Sequence, residues 1–319
     1  MEQTTGRGAV VVPTLGASPH LRDCLEALRR SGGDTLQIVL VGPAEILDSR
    51  ELEQSAALAD TVIRLDRNLG FAGNNNRALA EIDGQWVALV NDDAIVEPDW
   101  WSRLVETLDR HGDVAAVQGV VVDLSDSDRI DGHGLSWNRH WQAVQLGHGR
   151  PVGEAPDTGC EIFGVSATAA VFRRRALEAV SVGDAQPFDP GLFAYYEDVD
   201  LAVRLREAGW RAWLVPEARA AHAGSLTGEE LEGGKGRLLV ANRWLVLMRL
   251  FGRGFWRRLP GILARDLRDV GRALLRGRWA TLGVYASGWR RALTRSPSAL
   301  HGGPPRVPPM ELERFRVES

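Results

Sequence analysis

Short apolar runs alternate with amphipathic stretches through the first half of the chain. Ala9–Val12, Leu36–Val41, Thr61–Leu65, Trp86–Val90 and Val114–Val122 read as strands. Between them, Pro19–Arg30 repeats Leu21, Leu25 and Leu28 at helical spacing, and Glu51–Ala59, Arg77–Ile82 and Pro98–His111 also read as helices. Pro98 suits a first helical turn, where the N–H it lacks would have no partner anyway. Strict alternation of strand and helix predicts an α/β fold, with a mostly parallel sheet covered by helices on both faces. Ligands of such sheets bind beyond the carboxyl ends of the strands. The residues that follow each strand are therefore the candidates for chemistry.

The alternation lapses over residues 123–160, which are rich in Asp, Gly, His and Trp and predict loops with short antiparallel strands. It resumes with a strand at Ser166–Phe172, a helix at Arg173–Val180, a helix at Tyr196–Ala208 stopped by Gly209, and a strand at Arg211–Val215. Leu226–Gly236, rich in Gly and Glu, predicts a mobile loop. From Leu238 to about Leu293 the pattern is helical, and the five prolines of Ser296–Pro309 predict an extended tail. The organisation expected is an α/β domain over 1–237, a basic amphipathic helical segment over 238–295 and a Pro-rich tail over 296–319.

Composition adds three points. With 44% hydrophobic and 25% charged residues, the 319-residue chain matches an ordinary globular protein, not a disordered or collagen-like one. Cys24 and Cys160 offer neither a disulfide framework nor zinc-like spacing, as expected of a reduced, cytoplasmic protein. No run of about 18 apolar residues predicts a membrane span, and the short polar Met1–Gly8 does not resemble a secretory signal.

The net charge of −4 conceals an asymmetry. Residues 235–300 hold 15 Lys and Arg against 2 Asp and Glu, and that +13 leaves −17 for the rest. Trp256, Leu259, Leu263, Leu267, Val270 and Leu274 form a helical stripe there, with Arg257, Arg258, Arg265, Arg268 and Arg272 largely off it. Such a helix over 254–276 suits an anionic membrane surface, which would make the protein peripheral on the inner face of the cell membrane. It equally suits packing on the acidic body. No recognition motif accompanies the charge, so nucleic acid is not an expected partner.

Four motifs carry candidate chemistry. The strand Trp86–Val90 ends in Asn91-Asp92-Asp93, and carboxylates at that edge could hold Mg²⁺ or Mn²⁺ together with substrate phosphates, or simply cap a helix. Asn68 to Asn76 reads Asn-Leu-Gly-Phe-Ala-Gly-Asn-Asn-Asn, a loop whose Gly70 and Gly73 permit close backbone approach to a phosphate or sugar. It matches neither a P-loop nor the dinucleotide fingerprint, which disfavours ATPase and dehydrogenase chemistry. Phe193–Leu201 crowds Glu197, Asp198 and Asp200 at a helix start, where one could serve as a general base. Asp200 would point elsewhere and brace. His222, after a strand, could bind metal or diphosphate.

In order and spacing, these motifs resemble glycosyltransferase family 2, whose members have the GT-A fold. The run Tyr195–Gly209 is the most specific match, the resemblance covers about residues 8–250, and bacterial rhamnosyltransferase-like members look nearest. The resemblance implies an inverting, metal-dependent transfer from a nucleotide-diphosphate sugar donor to a glycan or lipid-linked acceptor, such as those of cell-envelope polysaccharides. It implies Asp198 as catalytic base with Glu197 beside it, and Asp93 and His222 at the metal. It places Pro13, Thr14, Asn68, Gly70, Phe71, Asn75, Asn76, Asn91 and Asp92 on the donor side. Two departures stand out: Val41-Gly42-Pro43 replaces the usual base-contacting Asp, and Asn74 and Ala78 replace glycines. A degenerate carbohydrate-binding scaffold is the competing reading, and a sugar-phosphate nucleotidyltransferase is disfavoured by Val12-Pro13-Thr14-Leu15 after the first strand.

Overall fold

A computed structural model describes residues 8–16, 18–183, 186–224, 234–300 and 312–317. The N-terminal half contains β1 (Gly8–Pro13), α1 (Leu21–Gly32), β2 (Leu36–Pro43), α2 (Ala44–Leu47), α3 (Arg50–Ala56), β3 (Thr61–Leu65), α4 (Gly70–Leu79), β4 (Trp86–Val90), β5 (Ala94–Val96), α5 (Trp100–Arg110) and β6 (Val114–Asp123). There follow β7 (Ile130–Gly132), β8 (Leu135–Asn138), β9 (Ala143–Gln145), β10 (Cys160–Ile162), β11 (Ala169–Arg173), α6 (Arg174–Ala179), α7 (Glu197–Glu207) and β12 (Arg211–His222). The chain ends with α8 (Gly234–Phe251), α9 (Phe255–Leu275), α10 (Ala280–Leu300) and β13 (Arg316–Val317).

The central sheet runs β3-β2-β1-β4-β11-β6-β12-β10. Its β3-β2-β1-β4 half is parallel, while β11 lies antiparallel between β4 and β6, so the sheet as a whole is mixed. Side chains alternate between faces with the strand period of two. Val10, Val12, Ile38, Leu40, Ala88 and Val90 face the layer of α1 and α5. Ala9, Val11, Val39, Val41, Val87 and Leu89 face the opposite layer, with Ala72, Ala78, Leu177 and Leu201. Both faces being covered explains why these strands read as unbroken apolar runs.

A third core joins the C-terminal helices to the body: Trp137, Phe163, Leu192, Val199 and Val203 pack with Trp244, Leu247, Phe255, Ile262 and Ala292. Three expectations change here. The stripe expected on 254–276 is divided, because Val270 is buried and Leu259 and Leu263 pack against the third core while Trp256 and Leu267 are 50% and 53% exposed. Arg265 is not a free surface charge but pairs with Asp269 and reaches Gln142. Finally, α10 runs on to Leu300, where extended chain was expected from 296, and β13 returns beside β8. The expected mobile loop lies outside the described residues up to 233, and its last residues begin α8.

Candidate active site

The carboxyl edge of the sheet opens into a cleft of about 1110 Å³. Pro13, Thr14, Asn68, Gly70, Phe71, Asn91, Asp92, Asp93, Glu197, Asp198 and His222 all line it. Asn75 and Asn76 are not among its lining. The segment expected as a loop is helical from Gly70, because Asn68 accepts the Gly70 N–H at 2.8 Å and Asn74 accepts the Leu69 N–H at 3.0 Å. These side chains satisfy donors that a helix start leaves open. On that helix Asn76 exchanges hydrogen bonds of 2.8 and 3.0 Å with the Phe188 backbone, and the fully buried Asn75 donates to the Phe71 carbonyl at 2.9 Å. Both brace the donor-side helix from within.

At the end of β4, the Asp92 carboxylate accepts from the Thr14 hydroxyl at 2.6 Å. Burial is the main reason its pKa rises to about 6, with the Thr14 hydrogen bond opposing. Gly42 is needed on β2, since a Cβ there would lie 2.5 Å from the Thr14 carbonyl. The usual acidic residue is thus excluded by the close approach of the Thr14 backbone.

Asp93 faces His222, with Oδ1 to Nε2 at 3.1 Å, and the other imidazole nitrogen meets Asp131 Oδ2 at 3.0 Å. Burial opposes charge on His222, but hydrogen bonds that it donates to Asp131 and Asp93 prevail and hold its pKa at about 9. A bulge between Leu214 and Arg219 carries β12 beyond the expected end at Val215 and delivers His222 next to β5. Among the described residues, no three His, Cys, Asp or Glu side chains form a ready cation cage. One carboxylate and one imidazole nonetheless fit a hard divalent ion that would displace the Nε2 proton and complete its shell with phosphate oxygens. An outer carboxylate on the second imidazole nitrogen, as Asp131 supplies, is the usual support for a metal-binding histidine.

Across the cleft, Asp198 accepts from the Val199 N–H at 2.7 Å and is also hydrogen-bonded by Ala167 and Ser166. Burial outweighs these bonds and raises its pKa to about 6. Glu197, 7% exposed, is pushed well above the carboxylate range by burial and by the Asp198 charge, and its Oε2 has no hydrogen-bond partner. The two halves of the cleft are tied together. Asn91 N–H bonds the Thr168 carbonyl at 2.9 Å, and the Thr168 hydroxyl is 3.0 Å from that of Ser166 beside Asp198. Asp200 braces, as expected: it is fully buried, accepts from Arg204 at 2.9 Å and pairs with Arg249.

The loop leading into α7 is backbone-strained. Phe193, Tyr195 and Tyr196 have φ of 68°, 66° and 69°. Asn242 of α8, fully buried, donates from Nδ2 to the carbonyls of Leu192, Ala194 and Tyr195 at 2.9, 2.9 and 2.7 Å. The same loop supports the donor side, because the Ala72 N–H bonds the Phe193 carbonyl at 3.0 Å. Asn242 and Asp131 are absent from the sequence reading, since neither sits in a local pattern. Lys235 had a signal, being the only lysine in the chain; it lines the cleft 5.3 Å from the Tyr195 ring.

This mixed sheet, with its acidic motif at the β4 edge and a carboxylate pair opposite, defines a protein of the GT-A glycosyltransferase fold. GalNAc-T7, solved with UDP, GalNAc and Mn²⁺, aligns with a TM-score of 0.61 at 14% identity over 80% of this chain and 49% of its own. The mannosyltransferase PcManGT from Pyrobaculum calidifontis, solved with GDP-Man and Mn²⁺, aligns with a TM-score of 0.51 at 18% identity over 97% of this chain and 79% of its own. Residues 9–181 match the family model for glycosyl transferase family 2, and the chain belongs to that family. The succinoglycan biosynthesis protein ExoO of Rhizobium meliloti is 29% identical over 128 residues, 39% of this chain and 35% of that protein. The curated relatives it matches are aligned over only 24–35% of their own lengths. No helix among the described residues is long and apolar enough to cross a membrane.

Proposed function

We propose that the protein transfers a sugar, with inversion, from a nucleotide-diphosphate donor to a hydroxyl of a glycan or lipid-linked acceptor. The observation that carries this reading is the pairing, in one cleft, of Asp93–His222 with a half-buried Asp198 whose pKa is about 6. A base with that pKa is ionised at neutral pH yet still basic enough to take a proton. Asp198 would accept the proton of the acceptor hydroxyl as its oxygen attacks the anomeric carbon. Glu197 would shape the acceptor end of the cleft, its Oε2 buried without a hydrogen-bond partner. Thr14 and Asp92 would hold the donor side. Asp93 and His222 Nε2 would hold a divalent ion, Mg²⁺ or Mn²⁺. When bound, that ion neutralises charge gathering on the diphosphate leaving group.

The succinoglycan role in ExoO's name supports a place in polysaccharide assembly, and the motif resemblance favours a deoxyhexose such as rhamnose among donors. Free Cys24 and Cys160 agree with work in the cytoplasm. The test is a screen of nucleoside diphosphates with Mn²⁺ by thermal shift, followed by donor turnover with Asp198→Asn. The matching nucleotide should raise the melting temperature by mass action. The variant should lose about 10²–10⁴-fold in rate while still binding it. A variant keeping more than half the wild-type rate would remove Asp198 from the mechanism.

A further inference from the structure

The C-terminal hairpin of α9 and α10 presents a surface that the cleft does not account for. Trp256, Leu267, Leu275 and Trp279 are 50%, 53%, 90% and 71% exposed, and Leu282 is 49% exposed. On α9, Trp256, Pro260, Ala264 and Leu267 follow at helical spacing on the side turned away from the buried Ile262, with the buried Val270 at its inner edge, and Leu275 continues the line. The residues from Leu275 to Ala280, which join the two helices, are all exposed. Arg257, Arg268, Arg272, Arg276 and Arg278 flank this apolar line, are exposed, and have no ion-pair partner among the described residues. The two acids of the segment face inward. Asp266 is 1% exposed and pairs with Arg243 at 2.6 Å, and Asp269 is taken by Arg265 and Tyr285.

We infer that this face docks on an anionic lipid bilayer. Soluble monomers rarely leave a contiguous apolar surface open, and one edged only by cations complements anionic headgroups. Tryptophan at both ends of the line matches its preference for the headgroup level. The position of the hairpin gives the docking a purpose. α10 runs alongside α8 in the same direction: a Cβ on Gly236 would lie 2.9 Å from Val284, and one on Gly288 would lie 2.7 Å from Val240. Trp279 and Ala280 therefore stand about one turn from the level of Lys235 and about two from that of Leu239, both of which line the cleft. A docked hairpin holds that side of the cleft near the bilayer, where a lipid-linked acceptor would be met. Only this last step rests on the proposed function.

The experiment is vesicle sedimentation of the full chain, with phosphatidylglycerol-containing and pure phosphatidylcholine vesicles at 0.1 and 1 M salt. Binding should be at least tenfold tighter on the anionic vesicles and should fade at 1 M, where the screening length falls to about 3 Å. Each arginine near such a surface adds about fivefold in partitioning, so Arg268→Gln/Arg272→Gln/Arg276→Gln should lose about a hundredfold. Trp279→Ser should weaken binding while donor hydrolysis in solution stays unchanged. Quenching of tryptophan fluorescence by brominated lipid should fall in Trp256→Phe/Trp279→Phe. Equal binding to both lipids, no binding to either, or unchanged quenching in the double variant would overturn the inference. So would a salt-sensitive dimer of the wild type without lipid binding, which would assign the face to a second copy. Binding without transfer to any lipid-linked acceptor would leave the surface standing and count against the proposed function alone.

Discussion

Replacing Asn242 with leucine separates the fold's support of the catalytic loop from the chemistry of the cleft. The perturbation removes one amide that serves three carbonyls, at 2.7–2.9 Å, from a fully buried position. Those carbonyls belong to a stretch in which Phe193, Tyr195 and Tyr196 are left-handed. Each such residue costs about 1–2 kcal/mol, so about 3–6 kcal/mol is held in place by the surroundings. Two N–H groups at a net 0.5–1.5 kcal/mol per bond, plus a partly orphaned carbonyl, put the loss of stability at about 2–4 kcal/mol. The strained residues immediately precede Glu197 and Asp198. If the loop relaxes by about 1 Å, turnover should fall about 10²-fold. The assay is kcat well below the melting temperature, beside urea unfolding. Met248→Ala is the control, since it also lies buried on α8 and should cost about 2–5 kcal/mol while leaving the hydrogen bonds to the loop in place. Wild-type turnover in Asn242→Leu, or an equal loss in Met248→Ala, would refute the reasoning.

Three further outcomes are expected. Asp131→Ala should weaken Mn²⁺ binding in the presence of nucleoside diphosphate about 10–100-fold by calorimetry, because His222 loses the carboxylate that orients it; unchanged affinity would leave Asp131 with a structural role. With Asp198 at about 6, kcat/KM should fall about tenfold per pH unit below pH 6 and level off above it, since the base works only when ionised. The acid limb belongs to the Glu197–Asp198 pair, so a flat profile down to pH 4.5 would contradict both assignments. Gly70→Ala should impair folding or donor binding, because φ there is +77° and the new Cβ would collide with the Phe193 carbonyl and ring; a soluble variant with normal donor affinity would show that this contact is dispensable.

The strands of the parallel half were legible because both their faces are buried, which leaves continuous apolar runs such as Leu36–Val41. The donor-side segment was not. Its glycines and asparagines read as a loop, yet Asn68 and Asn74 use their side chains to start a helix. Local pattern also could not show that Asn76 binds the Phe188 backbone 112 positions away, which removes it from the cleft surface. Asp131 meets His222 across 91 positions for the same reason. The carboxylate motifs were legible because Asn91–Asp93 and Glu197–Asp198 sit together in sequence at a strand end and a helix start. On α9 the helical period was right, but period alone does not say which apolar residues face the core. Ile262 proved buried and Trp256 exposed.

The central claim is that this cleft inverts an anomeric centre with Asp198 as the base. The most direct test is proton NMR of the first-formed product from a nucleotide-sugar donor of known anomeric configuration, with Mn²⁺ and an acceptor hydroxyl. The account predicts a product of the opposite configuration, formed by the wild type and reduced at least 10²-fold in Asp198→Asn, with nucleotide affinity unchanged. Retained configuration, or the same product at the same rate from the variant, would contradict it.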